Sequence, residues 1–197
     1  TAAAEQLELF DRMASQLYAA VISDVLDKLG HRNQVMTAGI NPVKPGSTGV
    51  LVGRAATMLT APQHEIPAEP YTNVIATIDS LTPGDVVVIG TNGYSDASYW
   101  GELFSNAALA RGARGTIIDG CHRDTRQILE LGYPLFSTGA RPFHIAGRAT
   151  VAVVIPSELA EETVAKAFEK VQKEDRCRDD LRAGALLSEV WRRYRVL

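Results

Sequence analysis

The sequence has little of what several common protein classes require. It holds only two cysteines, Cys121 and Cys177, which are too few for a disulfide framework or a thiolate metal site. Its wholly apolar runs, such as residues 151–155, are far too short to cross a bilayer. The N-terminal segment lacks the basic, apolar and small-residue order of a secretory signal. We therefore expect a cytoplasmic protein that does not associate with a membrane.

Neither sign of charge predominates in the sequence. The chain carries 20 Lys and Arg against 23 Asp and Glu, so its net charge at neutral pH is −3. No basic run is interleaved with aromatic residues, as a single-stranded nucleic-acid surface requires, and we expect no nucleic-acid partner. Hydrophobic residues make up 46% of the 197 positions, which suffices for a substantial core. We predict one domain over residues 1–197.

Several catalytic motifs are absent. The four histidines show no HxxxH or HExxH spacing, which argues against a histidine-based zinc site. The sequence has no G-x-S-x-G elbow of the serine hydrolases and no phosphate-binding P-loop. The glycines of residues 90–101 do not match G-x-G-x-x-G, so a dinucleotide site of the Rossmann type is not expected either.

The hydrophobic pattern alternates between strand and helix periods. Near-continuous apolar runs over residues 85–90 and 115–119 predict buried strands, and helical spacing follows each of them. Helices and strands that alternate with short glycine-bearing connections predict an α/β fold with parallel strand pairs. The predicted helices cover residues 6–29, 73–81, 100–111, 124–131, 157–182 and 186–194, and the predicted strands cover residues 49–59, 85–90, 115–119, 133–137 and 150–155.

Residues suited to chemistry follow two neighbouring strands. Gly101, Glu102 and Leu103 open a predicted helix after one strand. Arg123 and Asp124 follow the next strand, so both segments leave the same sheet edge, where α/β proteins commonly bind small ligands. The helix start offers N–H groups to a carboxylate, Arg123 offers a guanidinium fork to the same anion, and Asp124 offers an oxygen ligand to a cation. This combination predicts a hydrated divalent metal beside an anionic substrate.

The same residues also have a purely structural interpretation. An Arg-Asp pair at a helix start is often a cap, with Asp124 stabilising the first turn of its own helix. Glu102, in the first turn of the preceding helix, interacts favourably with the helix dipole without any ligand. The spacing fits either interpretation.

The central part of the chain resembles a known family. Residues 101–139, GELFSNAALARGARGTIIDGCHRDTRQILELGYPLFSTG, resemble the RraA-like family, which contains 4-hydroxy-4-methyl-2-oxoglutarate/4-carboxy-4-hydroxy-2-oxoadipate aldolases and the ribonuclease E activity regulator RraA. The aldolases carry an acidic residue, twenty intervening positions and then Arg-Asp, and here twenty residues separate Glu102 from Arg123 and Asp124. The resemblance extends over roughly residues 20–197, through SDVLD at 23–27 and the closing segments LRAG and WRRYRVL.

The resemblance implies a fold and an assembly. The fold is expected to be a central β-sandwich or barrel-like sheet with parallel β-α-β units, flanking helices and C-terminal helices. The family forms trimers or pairs of trimers with active sites between subunits, so a homotrimer or a dimer of trimers is expected here. One acid reaches each metal site from the C-terminal region of a neighbouring subunit, and Glu174 is its best match in this sequence.

The resemblance also implies roles for particular residues. Asp124 is expected to bind Mg²⁺ or Mn²⁺. Glu102 is expected to hold a metal-bound water, although it stands where some of the aldolases have Asp. Arg123 is expected to grip a pyruvate-type 2-oxo acid, whose carboxylate also meets the backbone around Gly101 and Leu103.

The implied reaction is that of a metal-dependent lyase. It cleaves a 4-hydroxy-2-oxo acid to pyruvate through a metal-stabilised enolate, and decarboxylation of oxaloacetate passes through the same enolate. Arg141, His122 and Arg126 are candidates for anchoring a distal carboxylate of the substrate, and each also fits an ordinary surface residue. Two alternatives stay open: a non-catalytic regulator that binds a ribonuclease or another protein, and a different lyase or a hydratase that acts on another hydroxy acid.

Overall fold

The computed structural model describes residues 2–47, 49–156, 161–183 and 193. No helix in this part of the chain is long and apolar enough to span a bilayer. The helices are α1 (Ala2–Gln16), α2 (Ala19–Lys28), α3 (Thr72–Asp79), α4 (Glu102–Ala110), α5 (Thr125–Leu131) and α6 (Glu161–Arg182). The strands are β1 (Asn41–Pro42), β2 (Arg54–Pro62), β3 (Asp85–Gly90), β4 (Ser98–Trp100), β5 (Gly115–Asp119), β6 (Cys121–His122), β7 (Leu135–Ser137), β8 (Gly139–Ala140) and β9 (Ala149–Pro156).

The chain divides into two compact units. The larger contains Thr1–Phe10 and Met36–Leu159, and the smaller contains Asp11–Val35 and Ala160–Leu197. The larger unit holds the nine strands named above, whereas α2 and α6 belong to the smaller unit and pack on each other. The single domain over residues 1–197 stays a prediction.

Two sheets organise the larger unit. The strand order of the first is β1-β7-β5-β3-β2-β9, in which β2, β3, β5 and β7 are parallel and the edge strands β1 and β9 are antiparallel to their neighbours. The second sheet consists of β4, β6 and β8, which are all parallel. The predicted α/β fold with parallel strand pairs is confirmed.

The central strands β3 and β5 have the predicted bounds. Val86, Val87 and Ile89 of β3 and Ile118 of β5 are buried in the core of the larger unit. Strands in the middle of a parallel sheet are covered on both faces, so they carry near-continuous apolar runs that are visible in the sequence. These two strands were therefore the most readily predicted elements.

The strand predicted over residues 49–59 is displaced toward the C-terminus. It begins at Arg54 and ends at Pro62. Arg54 pairs in register with Asp85, the first residue of β3, and its Nη2 lies 2.7 Å from Asp85 Oδ1. The start of β2 is thus set by a partner strand that is distant in sequence, which local patterning does not show.

The helix predicted over residues 6–29 is two helices. Tyr18 between them has extended backbone angles, with φ −145° and ψ 160°. No glycine or proline marks the break, and Leu17, Val21 and Val25 are all buried, so the apolar face continues past it. The helical period therefore gave no sign of the interruption.

Other predicted bounds shift by smaller amounts. The helix predicted from residue 100 begins at Glu102, because Trp100 is the last residue of β4. The strand predicted from residue 133 begins at Leu135, after Pro134, which has no N–H to donate to a ladder. Residues 157–160 of a predicted helix and the predicted helix over 186–194, apart from residue 193, lie outside the described residues.

The small parallel sheet aligns the two segments that carry the candidate site. Ser98 of β4 is in register with Cys121 of β6, and Trp100 is in register with His122. The backbone N–H of Arg123 donates to the carbonyl oxygen of Trp100 at 2.9 Å. The residues that follow β4 and β6 are consequently neighbours.

Candidate active site

Three of the predicted site residues meet at the start of α4. The backbone N–H of Glu102 donates to Oδ2 of Asp124 at 3.1 Å. Arg123 Nε lies 3.5 Å from the same oxygen. A guanidinium, a carboxylate and a helix N-terminus therefore occupy one small region. The Glu102 side chain is part-buried, and its Oε1 lies 3.5 Å from Asn106 Nδ2, one turn further along α4.

Asp124 does not cap its own helix. It stands at the N-cap position of α5 with φ 59° and ψ 37°, in the left-handed region, and its side chain makes no hydrogen bond to α5. Aspartate is one of the few residues other than glycine that adopt this conformation at moderate cost. The left-handed turn directs the carboxylate to α4 instead. The interpretation of Asp124 as the cap of α5 is therefore wrong, because it caps the neighbouring helix.

The start of α4 keeps N–H donors for a ligand. The N–H of Glu102 is taken by Asp124, so it is not free as the sequence suggested. The N–H groups of Leu103 and Phe104 belong to the first turn, which has no intrahelical acceptors. No acceptor for them occurs among the described residues. These donors and the positive end of the helix dipole suit an anion such as a carboxylate.

Gly101 makes the close approach of the two segments possible. A Cβ atom at this position would lie 2.6 Å from Asp124 Oδ2 and 3.3 Å from Arg123 Nε. The backbone of Gly101 is extended, with φ −156°, so the requirement for glycine here is one of space rather than of conformation. Any larger residue would push against the Arg123–Asp124 pair.

Arg123 and Asp124 open into a cavity of about 220 Å³, a size that suits a molecule smaller than a typical drug. The Arg123 side chain is 40% exposed, and its ion pair with Asp124 is the one contact of the guanidinium within the described part of the chain. Its remaining N–H groups are therefore available to an anion. The cavity is lined by Tyr71, Ile75, Ser98, Trp100, Gly101, Leu103, Phe104, Arg123, Asp124, His144 and Ile145.

Sequence reasoning missed most of this cavity wall. Tyr71 and Ile75 come from the start of α3, and Ile145 lies between β8 and β9, so they are far from the motif in sequence. Apolar residues at helical spacing look like ordinary core positions, and no local signal distinguishes a core residue from one that lines a cavity. Phe104 is within the motif region, but its apolar character gave it no chemical role.

A second, shallower recess lies on the Arg123–Asp124 pair. Its volume is about 370 Å³, and Arg141 and Pro142 contribute to its wall. Of the three candidate anchors for a distal carboxylate, Arg141 is therefore near the pair. Arg126 is instead an exposed residue whose Nε lies 3.6 Å from Glu130 Oε1, one turn further along α5.

His122 is buried, so its interpretation as an ordinary surface residue is wrong. Its Nδ1 lies 2.8 Å from Ser137 Oγ, and its Nε2 lies 2.9 Å from Thr125 Oγ1. Both ring nitrogens are thus occupied, and the imidazole holds the turn that carries Arg123 and Asp124 rather than a ligand. Burial lowers the pKa of His122 below 6.5, partly offset by the backbone of Gly139 and the charge of Asp124.

We expect His122 to make the protein less stable as the pH falls below about 6.5. In the unfolded chain the imidazole protonates near its ordinary pKa of 6.5, whereas the folded state resists protonation until lower pH. Below pH 6.5 the unfolded state therefore binds more protons than the folded state. The free energy of unfolding then decreases as the pH decreases, by at most about 1.4 kcal/mol per pH unit for one group. Denaturant unfolding between pH 7.5 and 5 measures this slope.

Substitution of His122 tests whether this pH dependence of the free energy of unfolding arises from His122. His122→Gln should flatten it, whereas His64→Gln, at an exposed histidine, should leave it as in the wild type. Equal slopes in all three proteins would contradict the prediction.

Glu174 belongs to the smaller unit and has partners within its own chain. The Tyr18 hydroxyl donates to its carboxylate, and Lys170 Nζ lies 3.4 Å from its Oε1. Lys170 is itself buried and also pairs with Asp24. Burial raises the pKa of Glu174, with Arg178 acting in the opposite direction. Its role as a metal ligand for a neighbouring subunit stays a prediction, as does the trimer that this role requires.

The donors in the cavity fit a metal ion that keeps most of its water. Asp124 is 34% exposed, and the described contacts engage its Oδ2, which leaves Oδ1 for a cation. Within the described ranges, no three His, Cys, Asp or Glu side chains converge as a metal cluster. A site with one direct carboxylate and Glu102 nearby suits Mg²⁺ or Mn²⁺, because Mg²⁺ binds through one or two carboxylates and retains several waters.

Sequence comparison identifies similar proteins. Residues 19–166 match the RraA-like family model, described as Aldolase/RraA. A Halalkalibacterium halodurans protein provisionally named 4-hydroxy-4-methyl-2-oxoglutarate aldolase is 30% identical over 118 residues, which are 60% of this chain and 50% of that protein. The Legionella pneumophila protein DlpA is 34% identical over 122 residues, 61% of this chain and 19% of that protein. The chain thus spans half or less of the length of these curated relatives.

Solved structures share the fold. An uncharacterized protein from Pseudomonas syringae pv. tomato aligns with a TM-score of 0.77 at 28% identity, over 95% of this chain and 94% of that one. Streptomyces coelicolor RraAS2, described as an unusual member of the RNase ES inhibitor RraA protein family, aligns with a TM-score of 0.69 at 26% identity, over 87% of this chain and 96% of that one. These matches confirm the expected RraA-like α/β fold with parallel strand pairs and flanking helices, which this chain builds from a mixed six-stranded sheet and a small parallel sheet.

Proposed function

Because the chain belongs to the RraA-like family, we propose that it is a divalent-metal-dependent lyase that cleaves a 4-hydroxy-2-oxo acid to pyruvate. We include decarboxylation of oxaloacetate as a second reaction of the same site. One observation carries the proposal: Arg123 and Asp124 stand against the N-terminus of α4 in a small cavity. The names of the family and of the H. halodurans relative agree with this reaction class.

The substrate's reacting end is an anion, and this chain offers three kinds of donor to it. The N–H groups of Leu103 and Phe104 receive the 2-oxo acid's carboxylate at the helix start. Arg123 forms a charge-assisted pair with the same end of the substrate through its free guanidinium N–H groups. As the reaction proceeds, negative charge develops on the C2 oxygen, and Arg123 stabilises that charge more strongly than it stabilises the neutral ketone.

The bond changes balance without any further reactant. The 4-hydroxyl loses its proton, the C3–C4 bond breaks, its electron pair forms the pyruvate enolate, and C4 leaves as a carbonyl compound. C3 then takes up a proton and pyruvate results. We assign the 4-hydroxyl proton to the Glu102 carboxylate, because Glu102 stands between Gly101 and Leu103, which line the cavity. Its Oε1 lies 3.5 Å from Asn106 Nδ2 and outside the cavity wall, so the proton is passed through a water.

The proposed metal ion is Mg²⁺ or Mn²⁺. Asp124 would bind it directly and Glu102 would hold one of its waters. When bound, such an ion supplies a Lewis acid for the keto oxygen of the substrate. The contribution of the chain is to hold Asp124 rigidly, by the left-handed turn and the bond to the Glu102 N–H.

Binding of a ribonuclease or another protein without catalysis is the second candidate function. The similarity to RraAS2, a member of an RNase inhibitor family by its description, favours it. Leu103, which is 73% exposed beside the cavity, would be a suitable apolar contact for such a partner. Under this alternative the chain releases no pyruvate, and Arg123 and Asp124 are structural.

A coupled assay with lactate dehydrogenase separates the two functions. The purified protein is offered oxaloacetate or 4-hydroxy-4-methyl-2-oxoglutarate, with Mg²⁺ or Mn²⁺ and then with EDTA, and pyruvate is followed by NADH oxidation. The lyase proposal expects metal-dependent pyruvate release from at least one of the two compounds, above the rate without protein. Absence of pyruvate from both compounds contradicts the proposal and favours the binding function.

Gly101→Ala is expected to reduce this activity by about 100-fold, because a displacement of catalytic groups by about 1 Å can cost that much. The added Cβ would lie 2.6 Å from Asp124 Oδ2, so the carboxylate must move. Alanine readily adopts φ −156°, so the fold should be retained. Gly139→Ala in β8, where an added Cβ meets nothing within 4 Å, is the matched control. Full activity in Gly101→Ala would contradict the role given to the Arg123–Asp124 pair.

A further inference from the structure

We infer that Arg141 binds a second carboxylate on the substrate and sets the specificity of this chain for the group on C4. The inference rests on the proposed function, since it concerns the substrate of the same site. It goes beyond that function by naming a side chain, outside the Arg123–Asp124 pair, that distinguishes a diacid from a monoacid.

The three strands of the small parallel sheet end side by side. His122, at the end of β6, is in register with Trp100 of β4 on one side and with Ala140 of β8 on the other. The next residues along the three strands are Gly101, Arg123 and Arg141. Because neighbouring strands are about 4.8 Å apart, Arg141 stands beside Arg123, as Arg123 stands beside the start of α4.

Hydrogen bonds fix the backbone of Arg141 on both sides of its Cα atom. Its N–H donates to the carbonyl oxygen of His122 at 2.9 Å. Its carbonyl oxygen accepts from the hydroxyl of Ser98 at 2.5 Å. Ser98 is a buried residue of β4, and its Oγ also lies 3.2 Å from the carbonyl oxygen of His122. The strands that carry the rest of the site therefore hold Arg141 in place, while the residue itself is exposed.

Arg141 shares a recess of about 370 Å³ with Arg123. The lining residues come from two segments and are Arg123, Asp124, Thr125, Ala140, Arg141 and Pro142. This chain thus contributes two guanidiniums and one carboxylate, so positive charge predominates. The guanidinium of Arg141 has no partner among the described residues, and its planar fork matches the two oxygens of a carboxylate.

The recess adjoins the cavity that holds the reacting end of the proposed substrate. Arg123 and Asp124 line both the 220 Å³ cavity and the recess. A 2-oxo acid bound against this pair at the start of α4 extends past the pair through C3 and C4, toward Arg141. A carboxylate on C4 gains a charge-assisted hydrogen bond there, whereas a methyl group at the same place gains none.

Two substrates with the same five-carbon skeleton test the inference. 4-Hydroxy-2-oxoglutarate carries a carboxylate on C4, and 4-hydroxy-2-oxopentanoate carries a methyl group there. For the wild type we expect kcat/KM for pyruvate release to be at least about tenfold higher with the diacid, the effect of one hydrogen bond between charged groups. Equal values, or a preference for the monoacid, overturn the inference.

Arg141→Ala should raise KM for the diacid at least about tenfold and leave its kcat little changed. The distal carboxylate keeps its charge throughout the reaction, so its ion pair is equally strong in the ground state and the transition state. The values of kcat/KM for the monoacid should be those of the wild type. The variant should fold, because the bonds of Arg141 to His122 and Ser98 involve only its backbone.

Two further variants serve as controls. Arg126→Ala removes an exposed arginine that pairs with Glu130 and does not line the recess, so both substrates should be cleaved as by the wild type. Arg141→Lys keeps the charge without the planar fork and should restore part of the affinity for the diacid.

The remaining outcomes distinguish Arg141 as a substrate-binding residue from other roles. An equal proportional loss with both substrates in Arg141→Ala, or a fall in kcat instead of a rise in KM, assigns the residue to positioning and overturns the inference. A change of mass in light scattering with an unaltered KM for the diacid assigns it to a contact between subunits and also overturns the inference.

Oxaloacetate decarboxylation, measured in parallel, separates failure of the inference from failure of the proposed function. Pyruvate from oxaloacetate or from the monoacid, together with a wild-type KM for the diacid in Arg141→Ala, overturns the inference alone. Absence of pyruvate from all three compounds overturns the proposed function and the inference with it.

Discussion

Arg123→Ala is expected to lower pyruvate release by about 10²–10³-fold or more, the loss typical of removing one donor to a developing oxyanion. The thermal midpoint should stay close to that of the wild type. The guanidinium is 40% exposed and its described contact is a 3.5 Å approach to Asp124, and partly exposed pairs of this kind contribute little to stability. The coupled assay and a thermal melt measure the two effects on one sample.

Two further variants test whether the loss of activity is specific to the Arg123 guanidinium. Arg126→Ala removes an equally charged side chain three residues away that is 81% exposed and paired with Glu130, and it should retain full activity. Arg123→Lys keeps the charge but loses the planar fork, so its activity should lie between those of the wild type and the alanine variant. An Arg123→Ala protein that releases pyruvate at near the wild-type rate would remove Arg123 from the mechanism.

Asp124→Asn is expected to abolish both activity and the response of activity to Mg²⁺ or Mn²⁺. Asparagine lacks the negative charge that a hard cation requires, so metal affinity should fall together with turnover. The fold should be retained, because asparagine tolerates the left-handed conformation and its side-chain oxygen can accept the Glu102 N–H. Titration of activity against each metal, with calorimetry of metal binding, provides the measurement.

Comparison of Asp124→Ala with Asp124→Asn distinguishes the effect of the negative charge from the effect of the side-chain cap on α4. Asp124→Ala removes the carboxylate, leaves the first turn of α4 without its side-chain acceptor and places alanine in a left-handed conformation that asparagine tolerates better. It should therefore be less stable than Asp124→Asn, and loss of the cap alone accounts for about 0.5–2 kcal/mol of the difference. Asp79→Asn, at a carboxylate that is 61% exposed and pairs with Arg111, controls for the loss of a negative charge elsewhere. A wild-type metal response in Asp124→Asn would show that Asp124 is not the metal ligand.

The parts of the fold that could be predicted are those in which local sequence and burial coincide. β3 carries the apolar run VVVI and β5 carries the pair II, because the middle of each strand is covered on both faces. The break at Tyr18 and the start of β2 at Arg54 are set by packing and by a partner strand. Neither cause leaves a local pattern, so neither could be predicted from the periods of the sequence.

The candidate site could likewise be predicted only in part. The segments that carry Glu102 and Arg123–Asp124 were predicted to share a sheet edge because they follow β3 and β5. They do meet, but the pairing that aligns them is that of β4 with β6, two short strands that the sequence analysis did not predict. The direction of the Asp124 carboxylate did not follow, because it depends on one left-handed residue and on a helix from elsewhere in the chain. The burial of His122 was missed for a similar reason, since its partner Ser137 lies on β7 and is brought to the imidazole only by the tertiary fold.

Formation of the pyruvate enolate is the central claim, and exchange of the methyl protons of pyruvate in deuterated water tests it most directly. Pyruvate consists of only the three carbons of the reacting end, so the result does not depend on the identity of the natural substrate. With Mg²⁺ or Mn²⁺ present, the wild-type protein should accelerate loss of the methyl proton signal, and EDTA or Arg123→Ala should abolish the acceleration. Exchange at the protein-free rate, or equal exchange by wild type and Arg123→Ala, would contradict the account.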